Sequence, residues 1–127
     1  MIAPKYQSWL AYIKARQLAN SISRLARVRF PKYERFSLTD QIRRSSRSVG
    51  ANLAESAAKV GYQKYFRAKL TDARSENYET QHWLLVALDE AYISQEEYEK
   101  YLEVTDEVGR LLTYMLRNPN QFLPNKL

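Results

Sequence analysis

Apolar residues recur along this chain at intervals of three and four positions, the spacing typical of amphipathic α-helices. The pattern occupies four segments, over residues 8–28, 38–58, 63–88 and 94–117. We find no segment in which apolar and polar residues alternate as they do in a half-buried strand. Short connections join the four segments. The sequence therefore predicts an all-α fold, an antiparallel up-down four-helix bundle.

The predicted core follows from the apolar stripe of each helix. In the third segment, residues 83–86 (WLLV) leave no polar side. A helix that is apolar all round must be covered by more than its own bundle, so we expect a neighbouring subunit there. The other core candidates are Trp9, Ile13, Leu18, Ile22, Leu25, Leu38, Ile42, Val49, Leu53, Phe66, Leu70, Ala73, Tyr98, Leu102, Val108, Leu111, Leu112 and Met115.

Helix-end signals set the boundaries. Helical geometry is disfavoured for the residue before Pro31, so the first helix ends there. Ser37, with Asp40 three residues later, is placed to form a capping box for the second helix. Ser94 and Glu97 are placed to do the same for the fourth helix.

Chain length bounds the domain organisation. At 127 residues the chain has the size of one domain with its own core, and we assign residues 1–118 to a single bundle domain. Residues 119–127 contain two prolines, so we expect an extended or mobile tail there.

Charge is distributed unevenly along the chain, whose net charge is +6. Residues 1–60 hold 12 Lys or Arg and 3 Asp or Glu, whereas residues 61–127 hold 8 and 11. The acidic residues concentrate between Asp89 and Glu107. Three interpretations stay open, namely a basic face for a polyanion, complementary surfaces on neighbouring subunits, and solvated helix faces.

Composition excludes several kinds of site. The absence of Cys removes disulfides, thiol nucleophiles and cysteine-ligated zinc, and the single histidine, His82, cannot form a His–His metal pair within one chain. No nucleophile–base pair or phosphate loop is recognisable. No run is apolar enough for a signal peptide or a membrane span. We therefore expect a cytoplasmic protein that is not an enzyme, with no cofactor, no metal and no membrane partner.

Polar residues flank the apolar stripe of the second predicted helix. A polar group beside a core must be hydrogen-bonded, because an unsatisfied one costs about 1–3 kcal/mol. We interpret this flank, together with two residues of the third helix, as a structural polar seam. A catalytic or binding pocket built from Asn52 and Glu55 is the alternative. The seam residues are Gln41, Ser48, Asn52, Glu55, Ser75 and Glu79.

Arginines on the remaining sides of the second helix are candidates for partner binding. Arg43 and Arg47 lie about one turn apart, and Arg44 lies between them. Such a basic patch suits phosphate contact, in which backbone charge rather than base identity is recognised. The alternative is that the cations pair with nearby carboxylates, including those of the acidic fourth helix. The candidate residues are Arg24, Arg27, Arg29, Lys32, Arg35, Arg43, Arg44 and Arg47.

A longer motif covers residues 30–55, which read FPxxERxxLxxQxRRxxxSxxxNxAE. Further residues of the same pattern are Phe66, Ser75, Glu79 and Thr80. Over about residues 7–116 the chain resembles the small bacterial proteins named after 23S ribosomal RNA intervening sequences, also grouped as ribosomal protein S23. It departs from them at Gly50, where the family usually has Pro, and at Ser56, where it usually has Gly.

The resemblance implies a four-helix bundle that assembles as a ring-like homopentamer without known catalytic activity. Genes of the family often lie within rRNA intervening sequences, and a related branch serves as the accessory protein of diversity-generating retroelements. That accessory protein is similar to a basic pentamer that binds nucleic acid and a reverse transcriptase. We therefore expect a non-enzymatic homo-oligomer that acts as a nucleic-acid-binding or ribonucleoprotein accessory factor. An adaptor for a protein such as a reverse transcriptase, or a structural oligomer without nucleic-acid contact, is the alternative.

Overall fold

The computed structural model describes residues 2–59 and 61–123. These residues form four long α-helices and no strand, so the prediction of an all-α fold is confirmed. Shorter 3-10 turns lie at Lys5–Ser8, Lys32–Glu34 and Pro119–Gln121. The long helices are α1 (Leu10–Arg29), α2 (Leu38–Ala57), α3 (Gln63–Asp89) and α4 (Gln95–Arg117).

One core lies between the four helices. Each helix packs against the next one along the chain, and α4 also packs against α1. Most predicted core residues are buried, but Ile13, Tyr98, Leu102 and Leu111 are only half-buried. In the apolar run of residues 83–86, Leu84 is buried, Trp83 and Val86 are half-buried and Leu85 is exposed. Burying one large apolar side chain contributes about 1.5–3 kcal/mol, so the stripe of each helix drives the packing. None of the described helices combines the length and the apolarity that crossing a bilayer requires.

The loop between α1 and α2 is tied to the connection between α3 and α4. Phe30 has the extended backbone expected before proline, and its ring lies 5.7 Å from the ring of Tyr92. The Tyr92 hydroxyl donates a hydrogen bond of 2.6 Å to the Glu34 carboxylate. This hydrogen bond is the main reason that the pKa of Glu34 lies below its ordinary value. The phenylalanine and glutamate of the loop motif therefore serve the fold.

The start of α2 differs from the prediction. The side chain of Ser37 makes no cap hydrogen bond. Instead the backbone N–H of Leu38 donates to the carboxylate of Glu34 at 3.3 Å, because the preceding 3-10 turn brings that carboxylate to the helix end. The capping-box prediction is therefore wrong for α2. It is confirmed for α4, where Ser94 and Glu97 exchange both hydrogen bonds of the motif.

The end of α3 is a Schellman motif. The N–H of Tyr92 donates to the carbonyl of Ala87, and the N–H of Ala91 donates to the carbonyl of Leu88, both at 2.9 Å. Ala91 has a φ of 62°, the left-handed conformation that this motif requires and that glycine adopts most readily. The chain thus turns sharply from α3 toward α4 at an alanine.

The chain after α4 folds back onto the bundle. Residues Pro119–Gln121 form a 3-10 turn, and the ring of Phe122 lies 5.8 Å from that of Trp9 in an edge-to-face arrangement. Residues 119–123 are therefore not extended as predicted, because the ring of Phe122 packs against an aromatic partner. Residues 124–127 of the predicted tail lie outside the described residues.

Candidate nucleic-acid interface

Arginines occupy the outer side of α2. The inner side buries Ile42 and Val49, of which 0% and 1% is exposed. Successive helical residues are rotated by about 100°, so Arg43, Arg44 and Arg47 point away from that stripe. Arg44 and Arg47 are exposed, and Arg43 is half-buried.

These three arginines line one surface groove of about 350 Å³. The Nε atom of Arg43 is buried and has no hydrogen-bond partner among the described residues. Arg44 donates to the side-chain oxygen of Gln41 at 3.1 Å. Within the described part of the chain, none of the three forms an ion pair. The other lining residues are Asp40, Ser48 and Ala51.

A second groove, of about 160 Å³, adjoins the first and shares Arg47 and Ala51 with it. Its other wall comes from α1 and includes Tyr12, Arg16 and Asn20. Sequence reasoning missed Arg16. The signal that could have found it is the spacing of four residues between these polar positions, which places them on one side of α1. The structure thereby adds a fourth arginine to the α2 cluster.

Arg44 also influences a carboxylate of α3. The pKa of Glu76 lies above its ordinary value because burial and the neighbouring charges of Glu79 and Asp72 disfavour its ionised form, while the charge of Arg44 acts in the opposite direction. The side chain of Glu76 is half-buried. Among the three α2 arginines, Arg44 thus also interacts electrostatically with a half-buried carboxylate of α3.

Arg29 has a different role from the α2 arginines. Its guanidinium makes two hydrogen bonds to Glu97, from Nε at 3.0 Å and from a terminal nitrogen at 2.6 Å. This pair, more than any other contact, lowers the pKa of Glu97 to about 2. The alternative in which a candidate cation pairs with the acidic fourth helix therefore holds for Arg29, which ties α1 to the start of α4.

The remaining candidates, Arg24, Arg27, Lys32 and Arg35, are exposed. None of them forms an ion pair with another described residue. The guanidinium of Arg35 lies 5.2 Å from the ring centre of Phe36, within the range of a cation–π contact. None of these residues lines the α2 groove, so the structure does not bring all eight predicted residues into one site.

The predicted polar seam is not one connected network within the described residues. Asn52 donates to the backbone carbonyl of Ser48 at 2.9 Å, a bond inside α2. Glu55 is exposed and pairs with Lys69 at 3.4 Å. Gln41 bonds Arg44, as described above. These are local contacts at separate places, and they do not assemble the alternative Asn52–Glu55 pocket.

The two seam residues of α3 also face outward. Glu79 is exposed and accepts a hydrogen bond of 3.2 Å from the indole of Trp83, and Ser75 is exposed. The described residues contain no group of three His, Asp or Glu side chains that could hold a metal ion. His82 is exposed, with its ring 4.7 Å from that of Trp83.

The buried polar contacts lie elsewhere than predicted. Ser45 and Thr80 are fully buried, and their hydroxyls lie 2.9 Å apart between α2 and α3. Asn77, also buried, donates to the backbone carbonyl of Thr105 across α3 and α4. Ser45 lies on the apolar stripe of α2, and the sequence does not reveal which hydroxyl of a neighbouring helix will face it.

Comparison with known proteins agrees with the fold. Residues 7–114 match the protein family described as 23S rRNA-intervening sequence protein. No curated protein matches the chain. A crystal structure of a protein of unknown function from the S23 ribosomal protein family of Bacteroides thetaiotaomicron is similar, with a TM-score of 0.76 and 29% identity over 85% of this chain and 96% of that one. The chain therefore belongs to the family of 23S rRNA-intervening sequence proteins.

Proposed function

We propose that this protein is a non-enzymatic, basic homo-oligomer that acts as a nucleic-acid-binding or ribonucleoprotein accessory factor in the cytoplasm. The α2 groove carries the proposal, since Arg43, Arg44 and Arg47 line it without an ion pair to any described residue. Guanidinium groups match phosphate oxygens in a two-pronged geometry, and unpaired ones need not break an existing pair first.

The shape of this surface favours contact with a phosphate backbone rather than with base edges. Arg16 extends the basic strip from α2 onto α1 through the adjoining groove. Both grooves are surface features lined mainly by arginines and small residues, and the carboxylate of Asp40 lies in the first of them. Backbone contacts of this kind set affinity and register and carry little sequence information.

We also infer that the helices run alternately up and down as an antiparallel bundle. Contacts between α1 and α4 support this, because Lys14 lies 3.4 Å from Glu107 whereas Arg29 bonds Glu97. Residue numbers thus rise along one helix while they fall along its neighbour. The short connections between consecutive helices favour the same arrangement.

Oligomerisation is the second part of the proposal. Leu85, inside the apolar run of α3, is 42% exposed, and Trp83 and Val86 of the same run are half-buried. This run presents apolar surface outside the core that a second subunit could cover. The number five comes from the family resemblance. Light scattering at micromolar concentration is expected to give a mass of five copies of the 15.0 kDa chain, and a mass of one copy would refute assembly.

Nucleic-acid binding is tested by fluorescence anisotropy with labelled RNA and DNA, single- and double-stranded, in a series of salt concentrations. We expect affinity to fall steeply with salt, since each neutralised phosphate contributes about −0.9 to the logarithmic slope on duplex DNA and about −0.7 on single strands. The triple variant R43A/R44A/R47A should bind about tenfold more weakly or worse, with a slope that is shallower by about 2–3.

A matched control separates the site from net charge. The variant K5A/K64A/K100A removes three exposed positive charges that lie outside the α2 groove. It should keep most of the affinity and of the slope. If both variants fold, as circular dichroism would show, and bind equally well, the arginine assignment fails. In that case the adaptor for a protein, such as the reverse transcriptase of a diversity-generating retroelement, becomes the favoured function.

A further inference from the structure

A surface pocket of about 570 Å³ lies between α3 and α4, on residues that the arginine groove of α2 does not use. Its volume is within the range of small-molecule sites, about 300–1,000 Å³. Both helices contribute residues three or four positions apart, so each presents one continuous side to the pocket. Neither the proposed nucleic-acid contact nor the family match accounts for it.

Asn77 forms the floor of this pocket. Only 3% of it is exposed, and its Nδ2 donates a hydrogen bond of 2.9 Å to the backbone carbonyl of Thr105. Because only the amide nitrogen can donate to a carbonyl, this hydrogen bond defines the positions of Nδ2 and Oδ1. The other end, Oδ1, is buried and has no hydrogen-bond partner among the described residues. Because that oxygen is buried, the acceptor that the pocket presents to a ligand N–H or O–H group is the exposed carboxylate of Asp106.

A second amide holds the floor in place. Nε2 of Gln81 donates to the hydroxyl of Thr105 and to the carboxylate of Asp106, each at 2.9 Å. Both of these acceptors line the pocket. The floor is therefore rich in acceptors whose positions are fixed by cross-helix hydrogen bonds, which is the arrangement that preorganised recognition requires.

The rim has the opposite character. Arg74, Arg110 and Arg117 line the pocket, and none of them forms an ion pair within the described part of the chain. Tyr78 and Tyr114, one from each helix, add aromatic rings that are 62% and 47% exposed. A matching ligand has a hydrogen-bond donor at one end, an anionic group at the other and a flat face between them.

We propose that this pocket binds a nucleotide. An N–H of the base donates to the carboxylate of Asp106, the base stacks on tyrosine, and the phosphate accepts hydrogen bonds from the arginines. Gly109 lines the pocket beside the amide of Asn77, and a Cβ atom there would make van der Waals contact with Nδ2 of Asn77 at 3.4 Å and occupy space in the pocket. The same chemistry is offered by a free nucleotide and by an unpaired nucleotide of a single strand. The proposal does not depend on the α2 groove.

The test is calorimetric titration with the four nucleoside 5′-monophosphates, and separately with short single-stranded oligonucleotides, inorganic phosphate and the nucleosides. We expect saturable binding of at least one mononucleotide or oligonucleotide. Phosphate alone and the matching nucleoside alone should bind at least about tenfold more weakly, because each satisfies one end of the pocket only. Binding of mononucleotides identifies a free nucleotide as the ligand. Binding of oligonucleotides alone identifies a nucleotide within a strand.

Two variants locate the binding. R110A/R117A should weaken it about tenfold or more by removing two guanidinium groups. G109A should also weaken it, through the added methyl group, while the melting temperature stays the same or rises because alanine favours a helix more than glycine. The control K5A/K64A removes the same charge at exposed positions outside the pocket and should bind normally. Equal binding by all variants, or no saturable binding by any ligand, would overturn the proposal.

Discussion

Replacement of Ala91 by glycine is expected to stabilise the protein. Ala91 is exposed and has a φ of 62° at the position after α3 where the Schellman motif requires a left-handed residue. The Cβ atom of an L-residue in this conformation approaches the following carbonyl too closely. Glycine removes that contact without removing either hydrogen bond of the motif, because both are made by backbone groups.

The size of the effect follows from two opposing terms. The left-handed conformation costs an L-residue roughly 1–2 kcal/mol. Glycine also increases the conformational entropy of the unfolded chain, which lowers the free energy of unfolding by about 0.4–1 kcal/mol. The net gain in the free energy of unfolding is then about 0–1.6 kcal/mol, with a central value of about 0.8 kcal/mol. With an unfolding entropy of about 2.1 cal/mol/K per residue, a chain of 127 residues should melt about 2–4 °C higher.

Ala68 provides the matched control. It is an exposed alanine inside the same helix, α3, and its backbone is helical. The same substitution there, A68G, should destabilise the protein by about 0.8–1.0 kcal/mol, because glycine is a poor helix former. Thermal and urea unfolding are measured for the parent and both variants at one protein concentration, since any assembly makes the melting temperature depend on concentration.

The two substitutions should therefore change stability in opposite directions, although each replaces an exposed alanine by glycine. A decrease in stability for A91G equal to that of A68G would refute the conformational argument. It would mean that the left-handed strain at the end of α3 is absent in solution.

Two further predictions concern contacts between helices. Glu97 has a folded pKa of about 2 against an ordinary 4.5, so the stability that its charged form provides is present above about pH 4.5 and is lost as the pH falls toward 2. In urea unfolding, E97Q should therefore lose less stability than the parent protein between pH 5 and pH 2. The control variant E96Q, at the exposed neighbouring residue, should lose as much stability as the parent. An equal loss of stability in E97Q and the parent would contradict the prediction. S45A and T80V should each lower the free energy of unfolding by about 0.5–1.5 kcal/mol, since each removes the bond between the two hydroxyls. The hydroxyl that remains keeps its bond to a carbonyl of its own helix, Ile42 for Ser45 and Glu76 for Thr80. The double variant should lose at least about 0.5 kcal/mol less than the sum of the two, and strict additivity would show that the hydroxyls do not interact.

Helix positions were predictable from the chain because periodicity and capping are local. The four helices begin and end within about two residues of the predicted limits, as is usual for helix ends. The capping box of Ser94 was found because both of its partners lie in one turn. The box at Ser37 failed because the Ser37 N–H, which Asp40 would accept in the box, already donates to the backbone carbonyl of Glu34 in the preceding turn. The sequence shows which side chains could accept a hydrogen bond at the start of α2, but only the folded structure shows which of them does.

The candidate site was predictable in part. Arg43, Arg44 and Arg47 share one groove because helical spacing alone places them on the outer side of α2. The sequence left open whether Arg29 is paired or available, since its partner Glu97 is 68 residues away along the chain. Arg16 was missed for the same reason, because it meets the cluster only where α1 lies beside α2.

The sequence by itself determined the helices, the apolar stripes, the family pattern and the outward arginines of α2, because these depend on residues within a few turns of one another. The tertiary structure alone decided which cations are paired, which hydroxyls are buried together, and that Phe122 returns to Trp9. It also created the pocket over Asn77, whose walls come from two helices. Such contacts depend on the packing of whole helices, and no local sequence pattern specifies the relative axial position of two packed helices.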